Sequence, residues 1–127
     1  MKTLTLHILP EKFSIWQLPP DAPLPKSDNS SLWSVTRTSE ELSIVSIAEN
    51  APSGVPKEGG WRCIGVKGPL VFELTGVMAS LSVPLAEAGI SIFAISSFNT
   101  DYLLVKAEQL EPACRALELA GHTFTDQ

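Results

Sequence analysis

The run Ile90-Ser-Ile-Phe-Ala-Ile-Ser-Ser-Phe-Asn-Thr-Asp-Tyr-Leu-Leu-Val-Lys106 decides how this chain is to be read. Two β-forming segments flank a short polar turn, Asn99-Thr100-Asp101, whose residue types close hairpins. A helix signature lies on each side. Upstream, Leu74, Val77, Met78, Leu81 and Leu85 recur at helical spacing, and Gly89 stands where a left-handed C-terminal cap belongs. Pro84 falls inside that helix, where it removes a hydrogen bond and presses on the carbonyl of Ser80, which predicts a kink. Downstream, Pro112 and Gly121 bracket a second helix with Leu110, Cys114, Leu117 and Ala120 facing inward. Glu108 and Glu111 lie near its positive end. Trp61–Val66 reads as a strand stopped by Gly68-Pro69. Gly65 to Gly121 therefore spells strand, helix, strand, turn, strand, helix.

That βαββα string is one strand short of the ferredoxin-like order βαββαβ. His122-Thr123-Phe124 can add one closing edge strand. The first half repeats the strands without the long helices. Thr3–Leu9 and Phe13–Leu18 read as a hairpin about Pro10-Glu11-Lys12, with Phe13, Ile15 and Gln17 on one face. A loop over residues 19–30 follows, carrying prolines at 19, 20, 23 and 25. Leu32–Thr38 and Leu42–Ile47 are further strands, and Thr38 can cap a single helical turn before Leu42. Residues 49–60 are rich in glycine and proline and read as a linker. The expectation is an α+β protein of two related halves. Residues 1–58 form a degenerate copy with little helix, and residues 59–127 form a complete one.

Bulk properties exclude several function classes. A chain of 127 residues with 44% hydrophobic and 18% charged residues is an ordinary folded protein. Its formal net charge of −5 and its nine scattered basic residues argue against nucleic acid as a partner. No signal peptide precedes the first strand, and no apolar run approaches the ~18 residues of a membrane helix. Cys63 and Cys114 each sit inside an apolar pattern and read as buried thiols of a reducing compartment. The expected location is cytoplasmic, with no membrane partner. His7 and His122 have no acid or cysteine at ligand spacing, so no metal is expected, nor any cofactor. Gly65-Val-Lys-Gly68 lacks the ending of a phosphate loop, and no Gly-x-Ser-x-Gly elbow accompanies the many serines. No enzyme signature is present. Trp16, Trp33 and Trp61 lie in strands, as core or dimer-interface residues do.

Four segments carry a family resemblance. Gly-Pro-Leu-Val-Phe-Glu-Leu-Thr-Gly (68–76), Pro-Leu-Ala-Glu-Ala-Gly-Ile-Ser-Ile (84–92) and Ser-Ser-Phe-Asn-Thr-Asp-Tyr-Leu-Leu-Val (96–105) resemble the ACT domain. Thr-Ser-Glu-Glu-Leu-Ser-Ile-Val (38–45) resembles a segment of small tandem-ACT proteins related to the CASTOR arginine sensors and to the regulatory domain of aspartokinase. The resemblance implies tandem ferredoxin-like ACT domains that bind small molecules, usually amino acids, between ACT units. It implies a homodimer and a regulatory protein partner. Carried over by motif, Ser43 and Ile44 would contact ligand through hydroxyl and backbone. Gly76 and Val77 would present a helix start, and Thr100 and Asp101 polar groups from the turn.

Chemistry supports this independently. A free amino acid offers a carboxylate to unpaired N–H groups at a helix start, where Gly76 permits close approach, and an ammonium to an acid such as Asp101. An arginine sensor would place an acid in the Phe72–Gly76 turn. Glu73 is there but Leu74 follows it, so the pattern does not select arginine. The competing reading is a docking or dimerisation module without a ligand. In that reading Asp101 is an ordinary turn residue, Gly76 a tight helix entry and Ser43 an exposed strand position.

Overall fold

The computed structural model describes residues 3–70 and 75–125. In chain order the strands are β1 (Thr5–Ile8), β2 (Phe13–Leu18), β3 (Ser34–Arg37), β4 (Leu42–Ile47) and β5 (Lys57–Val66). Helix α1 (Val77–Glu87), strands β6 (Phe93–Ser96) and β7 (Asp101–Lys106), helix α2 (Leu110–Leu119) and strand β8 (Thr123–Phe124) follow. Eight strands and two α-helices among the described residues make this an α+β fold. The chain divides into two compact units, one of residues 1–9 with 62–127, the other of residues 10–61.

In the first of these, β7 pairs with both β5 and β6, and β1 pairs antiparallel with β5 at Leu6↔Val66, His7↔Gly65 and Ile8↔Ile64. The strand missing from the βαββα string is thus supplied by the chain's own beginning. The closing segment forms the two-residue β8, parallel to β1 at Thr5↔Thr123 and Leu6↔Phe124. Alternation along each strand sends one set of side chains toward the helices. Leu6, Ile64, Val66, Leu103 and Val105 meet Leu81, Leu85, Ile90, Ala113 and Leu117 in one buried cluster. On α2 the buried residues are Ala113 and Leu117, whereas Cys114, expected inward, is half-buried. Leu110, Ala113 and Leu117, at i, i+3 and i+7, form the face that packs on the cluster, and Cys114 lies at its margin. Leu74 lies outside the described residues.

Both helices stop as the glycines require. Gly89 has φ +74° and Gly121 φ +105°. Ile90 N–H reaches the carbonyl of Leu85 at 2.9 Å, and His122 N–H that of Leu117 at 3.1 Å. These are the long return bonds of a left-handed helix cap. Pro84 stays inside α1. Having no N–H, it leaves the Ser80 carbonyl without its helical donor. His122, 3% exposed, fills the gap: its Nε2 lies 2.8 Å from the Ser80 oxygen, while its Nδ1 accepts the N–H of Leu4 at 3.0 Å. One imidazole, in the Nε2–H tautomer, therefore ties α1 to the chain entering β1.

The unit of residues 10–61 has no α-helix among its described residues. Its strands run β3, β4, β2 and the start of β5, all antiparallel neighbours. Four expectations change here. β1 and β2 are not partners in a hairpin; β1 pairs with residues 64–66 of β5, and β2 with residues 57–61. On β2 both Phe13 and Trp16 are buried, Trp16 packing with Leu42, Ile44, Leu18 and Val35, while Gln17, expected on the face of Phe13, is exposed. A register shift between Phe13 and Ile15 breaks the simple alternation that pointed to the other face. Residues 57–60 belong to β5 and not to a linker. Gly60, at φ +78°, lets the strand continue where another residue would strain it. Thr38 caps as expected, its Oγ1 accepting the N–H of Glu40 and Glu41 at 3.1 and 3.2 Å, but it closes the β3–β4 turn and starts no helix.

The proline-rich loop is held by polar side chains. Asp28 accepts from the Ser30 hydroxyl at 2.6 Å and N–H at 3.0 Å, and from the Ile47 N–H at 3.0 Å. Arg37 donates to the carbonyls of Pro20 and Ala22. Trp16 Nε1–H donates to Ser46 Oγ at 2.9 Å, and that hydroxyl donates on to the Ile47 carbonyl at 3.0 Å.

Candidate functional site

Two of the anticipated ligand residues begin α1. Gly76 is its N-cap, with φ +79° and no side-chain cap hydrogen bond. A Cβ there would touch nothing within 4 Å, so the glycine is demanded by backbone conformation and not by crowding. The first-turn amides, which have no helical acceptor, are consequently left without a capping oxygen from the N-cap side chain. Val77, next in line, is 6% exposed and turned into the core.

Two more lie where a tightly braced turn enters β7. The Ser97 N–H and hydroxyl both donate to the Thr100 carbonyl, at 2.8 and 3.0 Å. The Thr100 hydroxyl donates to the Val66 carbonyl at 2.6 Å, and Leu70 N–H to the Asn99 carbonyl at 2.7 Å. Gly68 makes this docking possible, because a Cβ on it would stand 2.9 Å from the Asn99 carbonyl oxygen. Thr100 is 8% exposed, and its one hydroxyl proton is already committed. Asp101, half-buried, opens β7 opposite Ser96.

Ser43 and Ile44 belong to the other unit. Ser43 is half-buried between Gln17 of β2 and Thr36 of β3. Ile44 is fully buried against Trp16, on a strand paired along both edges. Gly76 and Val77 are thus adjacent on one helix start, Thr100 and Asp101 adjacent in one turn, and Ser43 and Ile44 adjacent on one strand. Phe72 and Glu73 fall outside the described residues.

The unit of residues 1–9 and 62–127 also contains a cleft of about 450 Å³ whose polar lining is His7, Lys67, Asn99, Thr100, Tyr102 and Thr125. Of these, sequence reasoning named only Thr100 for a ligand. No sequence signal marked the rest: His7 faces Gly65 only once β1 pairs with β5, where a bare glycine opposite an imidazole leaves room beside it. Burial pushes the His7 imidazole below its ordinary value, so the ring is neutral at pH 7. The Cys114 thiol is pushed up, by burial first and then by Glu118, and is not a nucleophile at neutral pH. No cluster of three metal-ligating side chains occurs among the described residues. None of their helices is long and apolar enough to cross a membrane.

The order β5–α1–β6–β7–α2, with β1 closing the sheet beside β5, is a ferredoxin-like arrangement. The chain contains an ACT domain: the ACT domain model matches residues 57–118, and a second model, for an N-terminal domain, matches residues 11–54. Along its length it is similar to a crystallised protein from Agobacterium tumefaciens, 35% identical, with a TM-score of 0.92 over 100% of this chain and 96% of that one. It is 37% identical over 59 residues to the cytosolic arginine sensor for mTORC1 subunit 1 of Homo sapiens. That match takes in 46% of this chain and only 18% of the sensor's length. The fold is shared with the ligand-free regulatory subunit of aspartate kinase from Thermus thermophilus, 14% identical, with a TM-score of 0.59 over 89% of this chain and 94% of that one.

Proposed function

We propose that this chain is a non-catalytic ACT module that binds an amino acid or similar zwitterion and regulates a protein partner, acting in the cytoplasm as a homodimer. The observation that carries the reading is the uncapped start of α1 at Gly76. First-turn N–H groups, which have no helical acceptor, suit a carboxylate, and Asp101 supplies the acid for an ammonium group. The sensing role of a relative and the regulatory role of a structural neighbour support it. The ligand contacts proposed are Gly76, Val77, Thr100 and Asp101, with Ser43 and Ile44 contributed from a second ACT unit as the family resemblance implies. Thr100 enters through its lone pairs, since its proton is spent on Val66. Ligand binding would favour one packing of ACT units and so change the surface offered to a partner.

The docking reading has one observation in its favour. Phe98, at the turn between β6 and β7, is 80% exposed, and Leu119 on α2 is 90% exposed.

A thermal-shift screen against the twenty amino acids separates the two. A ligand at a hundred times its dissociation constant adds about 2.7 kcal/mol, which moves the midpoint by several degrees. A selective shift that Asp101→Ala abolishes is the expected result. A flat screen rejects amino-acid sensing, and a shift that survives Asp101→Ala intact rejects the site.

A further inference from the structure

The cleft beside His7 is separate from the residues of the sensing proposal except at Thr100, whose hydroxyl braces one wall. His7 and Tyr102 alternate with the core residues Leu6 and Leu103, so they project from the sheet face opposite α1 and α2. The ring of His7 occupies space that only a glycine partner leaves open: a Cβ on Gly65 would stand 2.8 Å from His7 Nε2. Lys67 stands at the end of β5, exposed, at the cleft. Among the described residues the lining contains no Asp or Glu, although the chain carries 14 acidic residues against nine basic ones. Among the described residues, the side chains of His7, Lys67, Asn99 and Tyr102 have no hydrogen-bond or ion-pair partner. At about 450 Å³ the cleft lies within the roughly 300–1,000 Å³ of small-molecule sites.

We infer that this cleft binds a small organic anion, carrying a carboxylate or phosphate group, with Lys67 supplying the charge and His7, Asn99, Tyr102 and Thr125 the hydrogen bonds. The single lysine gives a charge-assisted bond, and the neutral groups fix the orientation of the remaining oxygens. Lys, Asn and neutral His each present at least one N–H, and the tyrosine and threonine hydroxyls rotate to donate, so the set can satisfy an anion from several sides. The described lining residues bring no carboxylate against such a ligand, on a protein that is acidic as a whole.

The test is an NMR titration of the full chain with inorganic phosphate and, separately, with acetate, following the backbone amides and the His7 imidazole. Saturable shifts confined to His7, Lys67, Asn99, Tyr102 and Thr125 are expected, and the anion that binds tighter names the phosphate or the carboxylate class. Lys67→Gln, a change at an exposed position, should raise the dissociation constant by about tenfold or more. It should leave any amino-acid thermal shift unchanged, so that failure here and failure of the sensing proposal are told apart. Shifts that stay linear with both anions overturn the inference. So does saturation with the same dissociation constant in Lys67→Gln.

Discussion

His122 shows how one side chain can stand in for a missing backbone bond. Removing it leaves the Ser80 carbonyl and the Leu4 N–H buried without partners, each worth about 1–3 kcal/mol, so His122→Ala should lower stability by about 2–4 kcal/mol. Denaturant midpoints measure this directly. In a Pro84→Ala background the restored helical N–H serves Ser80, and the same substitution should cost about 1 kcal/mol less. Asp28 predicts a pH dependence. Burial alone would raise its pKa, but hydrogen bonds from the Ser30 hydroxyl, the Ile47 and Ser30 N–H groups and the Asn50 side chain hold it below its ordinary 3.8. A folded-state value below the unfolded one gives stability that is present above the unfolded pKa and lost as pH falls through the folded one. Urea midpoints should therefore decline below about pH 4, and Asp28→Asn should flatten part of that decline.

The elements depend on where glycine is placed. Gly65→Ala pushes a Cβ to 2.8 Å from His7 Nε2 and 3.3 Å from Leu9 Cδ1, so β1 must shift along β5 or His7 must swing out. The expected loss is about 1–3 kcal/mol, read by thermal melting. Gly76→Ala meets no neighbour but must hold φ +79°, a strain of about 1–2 kcal/mol. The helix ends were legible in the sequence because Gly89 and Gly121 act within one turn of chain, and their left-handed conformation needs no distant partner. The core face of β2 was not legible, because a bulge at Phe13 changes which residues alternate inward, and nothing in Phe-Ser-Ile-Trp-Gln-Leu announces it.

At the scale of the molecule, the first residues of the chain complete the unit built by the last. Leu6 lies fully buried in the cluster with Leu81, Leu103 and Leu117. Deleting residues 1–9 removes β1, its ladder to β5 and β8, and the Leu4 N–H that donates to His122 Nδ1. Hydrogen exchange should then show lost protection across Ile64–Val66 and in α1 and α2, with β2, β3 and β4 keeping theirs. Uniform loss across both units would mean that they fold as one cooperative block.

By itself the sequence determined the βαββα order, the two helices with their caps, the near absence of helix in the first half and the ACT resemblance. All of these rest on periodicity and turn chemistry acting over a few residues. Only the tertiary structure decided that Thr5–Ile8 joins β5 instead of pairing with β2, because strand partners are chosen by which apolar faces are buried together, not by nearness along the chain. The same holds for the cleft. His7, Lys67, Asn99, Tyr102 and Thr125 are spread over more than a hundred residues and share a wall only once β1, β5 and β7 lie side by side.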